Sequence, residues 1–396
     1  MPLQPEPSWH GANPDEPDFR DTLHERYRHL RKVAPVNLTP RGYVRLCRHA
    51  DCERLLKRTK VGVRTVDGTL PSVDETHMAR AFMLEQDPPH HTRLRRMVSR
   101  YFTPRVMEEL QLRVDELCEE LVDGMDSREV DLVQSLALPL PSIIISEIMG
   151  VPAEERAMFN AWSNDLTYIL LGTRASRAQQ SRANAALGHM VGYITEKVQQ
   201  RRREPTEDLI GVLVRAEQEG EQLSEIELLW QCVGLTLAGF ETTTGLIANG
   251  VRQLLLHPDQ WRRLHEDRTL AASAVDEVLR YEPSVAATSR CLHEDAQFGD
   301  IAIERDTVVM AVLAAANRDP EVFDAPATFD IGRQPNPHMG FGGGIHMCLG
   351  AHLAKIEAMA AFRVLSQRYP GAKLLSPHVQ WSSSLLRIPQ ALPLCL

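Results

Sequence analysis

The sequence predicts a mainly helical protein with small β-sheets. The chain has 396 residues, 43% hydrophobic and 24% charged, which allows a large core without disulfide or metal support. Apolar residues recur at three- and four-residue spacing through most of the middle of the chain, whereas strand patterns are scarce. No internal repeat or Pro/Gly/Ser-rich linker interrupts the chain. We therefore expect a single domain over residues 1–396, with an extended segment at residues 1–20.

The helical pattern occurs in five segments, which are residues 105–125, 153–171, 178–203, 208–219 and 224–256. Glu204-Pro205-Thr206 follows a basic run and predicts a loop between two of these helices. The strand patterns are short and cover Tyr43–Leu46, Gln297–Ile303, Thr307–Leu313 and a weak pair near the C-terminus.

The segment 224–256 is the best-marked helix. Ser224 and Glu227 form a capping box, and His257-Pro258 ends the pattern. Its apolar faces predict burial, yet its centre runs from Ala238 to Thr244 as Ala-Gly-Phe-Glu-Thr-Thr-Thr. Burying an acid and hydroxyls costs free energy unless they are hydrogen-bonded. We therefore expect them beside a cavity; a satisfied structural kink is the alternative.

Charge and cysteine usage exclude several classes of protein. A net charge of −9 disfavours a chain that coats nucleic acid. Seven scattered cysteines are an odd number and indicate a reducing compartment. The N-terminus lacks the basic and apolar regions of a signal peptide, and the apolar stretches Leu136–Val151 and Leu228–Phe240 are too polar or too short to span a bilayer. We expect a soluble, cytoplasmic monomer that binds neither nucleic acid nor membrane.

A second unusual stretch is the glycine-rich segment 340–350, which surrounds Cys348 and leads into a helical pattern. Ile345 and Met347 occupy the positions where a dinucleotide fingerprint needs glycine, and a P-loop would need Gly-Lys-Ser/Thr. A zinc site would need a second nearby cysteine. A cysteine at a helix start is stabilised as a thiolate, and the glycines let the backbone approach a large, flat group. The alternative is an inert core cysteine.

These segments resemble the cytochromes P-450. The haem-binding signature of that family is matched, at its spacing, by Phe341, Gly344, His346, Cys348 and Gly350. Three further segments resemble family motifs in the family's order, namely Asp87–Arg95, Ala238–Thr242 and Glu277–Arg280. The resemblance implies the single-domain P-450 fold, a helical bundle around haem with small β-sheets.

The resemblance also implies the cofactor and its ligands. The cofactor would be haem b, with Cys348 as the axial thiolate and metal ligand. Further haem contacts would come from Ala238, Phe341 and Gly350. The haem propionates would pair with His91, Arg95, Arg290 and His346. Glu277, Arg280 and Arg333 would form the family's structural salt-bridge cluster.

The catalytic pair implied by the resemblance is Glu241 and Thr242. Thr242 would hydrogen-bond bound oxygen or an ordered water, and Glu241 would relay protons from solvent. The activity would be that of a monooxygenase, which inserts one oxygen atom of O₂ by hydroxylation or epoxidation. A haem-thiolate protein without oxygenase activity, for redox or gas sensing or for coupling or reduction chemistry, is the alternative.

The substrate pocket would be lined, by resemblance, by parts of segments 60–85, 165–175, 234–242, 284–288 and 384–387. Small or apolar candidates are Leu235, Ala238, Val285, Ala286 and Leu385, and candidate hydrogen-bonding groups are Ser284, Thr288 and Ser384. Segments 234–242 and 284–288 contain no lysine or arginine. We therefore expect a mid-sized, largely uncharged substrate such as a secondary metabolite, lipid or terpenoid.

The electron donor would be a separate ferredoxin or flavodoxin with its reductase. On a helix over residues 90–102, Arg93, Arg96 and Arg100 share one face, opposite His91 and Arg95. Because the whole chain is acidic, an acidic partner needs a local basic patch. We expect docking near these three arginines; a merely solvated face is the alternative.

Overall fold

The computed structural model describes residues 19–39, 42–70, 81–168, 176–219, 223–382 and 386–396. The chain forms two compact units. The first comprises residues 1–75 and 257–351, and the second comprises residues 76–256 and 352–396. The single-domain organisation stays a prediction. Of the expected extended segment 1–20, residues 1–18 lie outside the described residues, and a helix already begins at Phe19.

The described helices are α1 (Phe19–Val33), α2 (His49–Lys57), α3 (His90–Ser99), α4 (Pro104–Asp123), α5 (Pro139–Ile148), α6 (Arg156–Leu166), α7 (Arg177–Arg203), α8 (Leu209–Gln218), α9 (Glu225–Leu256), α10 (Pro258–Glu266), α11 (Ala271–Tyr281), α12 (Leu313–Ala316) and α13 (Ala351–Arg368). The described strands are β1 (Val36–Leu38), β2 (Val44–Leu46), β3 (Val61–Gly62), β4 (Glu129–Asp131), β5 (Thr288–Leu292), β6 (Ala296–Phe298), β7 (Ile301–Ile303), β8 (Val308–Ala311), β9 (Lys373–Leu374) and β10 (Pro393–Cys395).

The first unit is built around a five-stranded sheet in the order β1-β2-β8-β5-β3. β2 and β8 pair in parallel, and the other neighbours are antiparallel. The sheet positions Arg290 opposite Val309 on β8. Apolar side chains of these strands and of α2 form one core cluster, which includes Leu46, Leu55 and Val309. The segment that follows β8 packs against this core.

The second unit contains the long helix α9, which runs unbroken over 32 residues. Its length is about 48 Å at 1.5 Å per residue. Most of its residues are buried, as the apolar pattern predicts. The second unit also holds a three-stranded sheet in the order β4-β10-β9.

The predicted helices are confirmed where the ends carry recognisable signals. The Ser224–Glu227 capping box and His257-Pro258 bound α9 to within a residue. α8 begins where Asp208 Oδ1 accepts a hydrogen bond from the Gly211 amide at 2.8 Å. The predicted loop at Glu204-Pro205-Thr206 lies between α7 and α8. The helix expected over 153–171 is shorter, because α6 covers 156–166 after a 3₁₀ turn, and residues 169–175 lie outside the described residues.

Two strand expectations are wrong in detail. The segment Gln297–Ile303 is not one strand but part of the β6–β7 hairpin, because Gly299-Asp300 forms a two-residue turn that pairs Phe298 with Ile301. The segment Thr307–Leu313 contains β8, but the strand ends at Ala311 and α12 begins at Leu313. The mainly helical class with small sheets is confirmed.

Candidate active site

The cysteine loop, residues 340–350, belongs to the first unit and is shaped by its backbone. Gly344 has a φ of +70°, and a Cβ there would lie 2.0 Å from the Leu56 carbonyl oxygen, so the position excludes every side chain. The Met347 amide donates to the Gly344 oxygen at 3.1 Å. The Cys348 amide donates to the Phe341 oxygen at 3.0 Å. The loop is therefore folded back on itself at the cysteine.

Cys348 differs from the other cysteines in its accessibility. All seven cysteines are described and none is in a disulfide; Cys348 is exposed, Cys395 is half-buried and the rest are buried. Burial raises the pKa of Cys118 and Cys232 to about 12, which keeps these thiols protonated. Among the described cysteines, Cys348 is therefore the best placed to act as a thiolate ligand.

The surface around Cys348 is apolar and open. Ile345 and Met347 are 47% and 49% exposed, although both are large hydrophobic residues. Apart from Gly350 and its two chain neighbours, no described residue has an atom within 4 Å of the position that a Cβ would take at Gly350. Two large apolar side chains beside Cys348 are therefore available to contact an apolar ligand. This part of the first unit thus has the chemistry that a large, flat, apolar group with a thiolate ligand requires.

A buried ion cluster fixes the chain just before this loop. Glu277 and Arg280 on α11 are fully buried, with Arg280 Nε donating to Glu277 Oε2 at 2.7 Å. Arg333 Nε donates to the same carboxylate at 3.2 Å, and the Asp330 amide donates to it at 2.9 Å. The expected cluster of Glu277, Arg280 and Arg333 is therefore present in the first unit. Such pairing offsets the high cost of burying the charges.

Asn317, to which no sequence pattern pointed, contributes to the same support. Its Nδ2 donates to the Leu279 oxygen at 3.1 Å, and its Oδ1 accepts the Met339 amide at 2.8 Å. Asn317 thus connects α11 to the residue that precedes the cysteine loop. Its only sequence signal is an amide side chain directly after the apolar run Leu313–Ala316.

The centre of α9 presents a half-buried stripe beside residues that are mostly buried. Leu235, Ala238, Gly239 and Thr242 are half-buried, whereas Thr243 and the residues up to Gly250 are buried. The stripe has the spacing of one helical face. Glu241 borders it and is also half-buried. Part of the second unit therefore offers an apolar face that ends in an alcohol and an acid, and the cavity expected beside them stays a prediction.

The threonines of α9 are not equivalent. Thr242, Thr243 and Thr244 each donate a hydrogen bond from Oγ1 to the carbonyl four residues earlier, at 3.0, 3.2 and 2.9 Å. Thr243 and Thr244 are buried and satisfied in this way, which fits the structural alternative. Thr242 differs in its exposure, because it lies on the half-buried stripe and not on the buried side of the helix.

The expected propionate partners lie in both units. His91 is 2% exposed and shares a face of α3 with the half-buried Arg95 in the second unit. In the first unit, Arg290 is 7% exposed, and its Nη1 donates to Thr288 Oγ1 at 3.0 Å and to the Ser289 oxygen at 2.7 Å. His346 is half-buried in the 3₁₀ turn of the cysteine loop.

The expectation for Arg93 needs correction. Its guanidinium does not extend outward but pairs with Glu227, which also accepts hydrogen bonds from Ser224 at the N-terminus of α9. Both Arg93 and Glu227 side chains are 19% exposed. Burial raises the pKa of Glu227, but the hydrogen bonds from Arg93 and Ser224 outweigh burial and leave it below its ordinary value. The basic face of α3 is thus reduced to the exposed Arg96 and Arg100.

The expected substrate-pocket residues are described only in part. Val285, Ala286 and Thr288 are half-buried, and Ser284 is buried. Val285 packs against the core of the sheet in the first unit. Ser384 and Leu385 lie outside the described residues, as do segments 71–80 and 169–175.

Comparison with known proteins decides the family. The sequence model described as Cytochrome P450 matches residues 14–370. The chain belongs to the cytochrome P450 family. It is a monooxygenase whose cofactor is haem b bound through a cysteine thiolate. Among the described residues, every helix is too short or too polar to cross a bilayer.

Several bacterial P450s are similar in sequence. The polyketide biosynthesis P450 PksS of Bacillus subtilis is 36% identical over 89% of this chain and 88% of its own length. The P450 monooxygenase PikC of Streptomyces venezuelae is 41% identical over 83% of this chain and 79% of its own.

Solved P450 structures are similar in fold. PksS superposes with a TM-score of 0.88 at 34% identity, covering 97% of this chain and 99% of its own. Myxobacterial CYP267B1, solved in complex with myristic acid, gives a TM-score of 0.86 at 38% identity, covering 96% and 97%.

Proposed function

We propose that this P450 hydroxylates or epoxidises a mid-sized, largely uncharged secondary metabolite, lipid or terpenoid. The observation that carries the proposal is the half-buried stripe of α9, where Leu235 and Ala238 precede Thr242 and no lysine or arginine lies within 234–242. An apolar wall with few hydrogen-bonding groups suits such molecules. The name of PksS places that relative in polyketide biosynthesis, and CYP267B1 was solved with myristic acid, a lipid, which supports a secondary metabolite or lipid as substrate.

Cys348 is the proposed iron ligand. Its exposure, its place in the folded loop and the open apolar surface beside it support this role. Ala238, Phe341 and Gly350 are proposed haem contacts, and His91, Arg95, Arg290 and His346 are the proposed partners of the propionates. When bound, the haem thiolate supplies the oxidation by which one oxygen atom of O₂ enters the substrate.

Thr242 and Glu241 are proposed to deliver protons. Thr242 is half-buried on the stripe of α9, and its Oγ1 donates to the Ala238 oxygen at 3.0 Å. To donate to another acceptor, the hydroxyl must rotate away from Ala238. The Glu241 carboxyl, one residue earlier, is the nearest acid in the sequence to resupply its proton.

The electron donor is proposed to be an acidic ferredoxin or a flavodoxin that docks at Arg96 and Arg100. Both arginines are exposed, and their charge opposes the net −9 of the chain. We further propose that the protein is a monomer and that it is cytoplasmic; seven cysteines without a disulfide suit the reducing conditions of that compartment.

Two measurements test the proposed reaction. In the first, a macrolide, a steroid, a fatty-acid methyl ester and a sugar phosphate are titrated into the ferric protein. We expect the uncharged compounds, and not the sugar phosphate, to shift the Soret band. In the second, turnover with surrogate redox proteins under isotopically labelled O₂ should place one labelled atom in the product. An unlabelled product would favour coupling or reduction chemistry and would contradict the proposal.

A further inference from the structure

His338 stands two residues before Gly340 and contacts two different parts of the first unit through its ring. Its Nδ1 accepts a hydrogen bond from the Gly340 amide at 3.1 Å. Its Nε2 lies 3.3 Å from Asp276 Oδ1 on α11. The ring centroid is 6.2 Å from that of Phe341, and the side chain is 9% exposed. Neither His338 nor Asp276 belongs to a sequence motif described above.

These two contacts define the tautomer of the imidazole. A backbone amide can only donate, so Nδ1 must carry no proton when it accepts from Gly340. The remaining proton of a neutral ring is then on Nε2, which donates it to Asp276. The ring therefore connects the carboxylate of α11 with the backbone of the cysteine loop.

The backbone at Gly340 has little freedom. A Cβ there would lie 2.8 Å from the Leu279 oxygen and 2.9 Å from Leu279 Cβ, so the chain packs directly on α11. The Met339 amide is held by Asn317. Each of the three consecutive residues 338–340 is thus held by a contact with a neighbouring part of the first unit, and His338 provides the contact with Asp276.

This support leads directly to the cysteine. Phe341 follows Gly340, and its carbonyl oxygen accepts the Cys348 amide at 3.0 Å. A change in the direction of the Gly340 peptide therefore moves the acceptor that holds the Cys348 backbone. Groups around a ligand that fix its orientation tune the bound metal.

We infer that His338 is a positioning residue for Cys348, acting through the Asp276–His338–Gly340 connection. The inference rests on the proposed role of Cys348 as iron ligand. His338 touches neither the thiol nor the reacting groups, and its effect is transmitted through the loop backbone.

Three variants of the full-length holoenzyme test the inference. His338→Phe keeps an aromatic ring but removes both hydrogen bonds. His338→Asn keeps an acceptor that can bond the amide two residues later, as in an Asx-turn. Asp276→Asn keeps an Oδ1 acceptor for Nε2–H and is the matched control.

The readout is the spectrum of the reduced, carbon-monoxide-bound protein. The thiolate-ligated form absorbs at about 450 nm and the form that has lost the thiolate at about 420 nm. We expect His338→Phe to raise the 420 nm fraction severalfold and to release haem to apomyoglobin severalfold faster. Asp276→Asn should stay within about twofold of the parent, whereas His338→Asn, which keeps an acceptor for the Gly340 amide but loses the contact with Asp276, should lie between the parent and His338→Phe.

Melting temperatures of the same variants separate positioning from general stability. A loss of stability without a change in the 450 nm fraction would assign His338 a purely structural role and overturn the inference. So would equal spectra and haem release for His338→Phe and the parent. If the parent itself lacks the 450 nm band, the Cys348 proposal fails and this inference with it. If the parent shows a normal 450 nm band, the differences between the parent and the variants test the role of His338 alone.

Discussion

The cysteine loop is unusually rich in glycine, and the centre of α9 is unusually polar for a mostly buried helix. Different interactions fix the structures of these two regions. In the loop, sterics and amide hydrogen bonds fix the backbone itself, as at Gly344 and Cys348. In α9 the backbone is a regular helix, and Thr242 differs from Thr243 chiefly in exposure. A site whose geometry depends on the backbone should lose stability when its supporting contacts are removed. A site that depends on side chains should lose catalytic function and keep its fold.

The largest effect is expected from the support of the loop. Glu277→Gln leaves Arg280 and Arg333 facing a neutral amide inside the first unit. Breaking a buried pair on one side costs about 3–5 kcal/mol. The free energy of unfolding, measured by denaturant titration, should fall by this amount. Glu109→Gln removes an exposed partner of Arg105 and should lower the free energy of unfolding far less. Equal losses of unfolding free energy in the two variants would show that the Glu277 cluster does not stabilise the support of the loop.

The next effect separates two glycines of the same loop. Gly344 and Gly342 have φ values of +70° and +71°, but only the Cβ position of Gly344 is occupied, by the Leu56 oxygen. Gly342→Ala should cost about 1–2 kcal/mol for the left-handed conformation alone. Gly344→Ala adds the steric overlap and should cost about 2 kcal/mol more. Similar unfolding free energies for the two variants would disprove the close approach.

The side-chain site should respond in chemistry. We expect Thr242→Ala to consume O₂ and NADH with substrate present, but to release peroxide at the expense of product severalfold more than the parent. Its stability should change by less than about 1 kcal/mol, because the lost hydrogen bond is to its own helix. Thr243→Ala is the matched control and should remain coupled. Unchanged coupling in Thr242→Ala would show that Thr242 does not take part in proton delivery.

The smallest effect is expected at the surface of α3. Arg96→Glu/Arg100→Glu should slow reduction by a ferredoxin severalfold and weaken the salt dependence of that rate. Substrate binding and haem content should be unchanged. Arg262→Glu, an exposed arginine on α10, is the control and should have no such effect. Reduction as fast as the parent at low ionic strength would disprove docking at Arg96 and Arg100.

Sequence patterns predicted those parts of the fold that depend on local rules. The capping box and the proline bounded α9, and the glycine pattern located the cysteine loop. The sequence did not predict the turn of the β6–β7 hairpin, because the apolar residues on either side of Gly299-Asp300 also fit one continuous strand. Arg93 was misplaced because helical periodicity gives the direction of a side chain but not the acid, Glu227, that meets it. The contacts of Asp276 and Asn317 join residues distant in sequence, and no local pattern encodes them.

The central claim is that the backbone-built loop makes Cys348 the thiolate ligand of the haem. The most direct test compares reduced, carbon-monoxide-bound spectra of the parent, Cys348→Ser and Cys395→Ser. Cys395 is the matched control because it is the other cysteine that is not fully buried. We expect the thiolate band in the parent and in Cys395→Ser, and its loss in Cys348→Ser. A thiolate band that persists in Cys348→Ser, or that disappears in Cys395→Ser, would contradict the assignment.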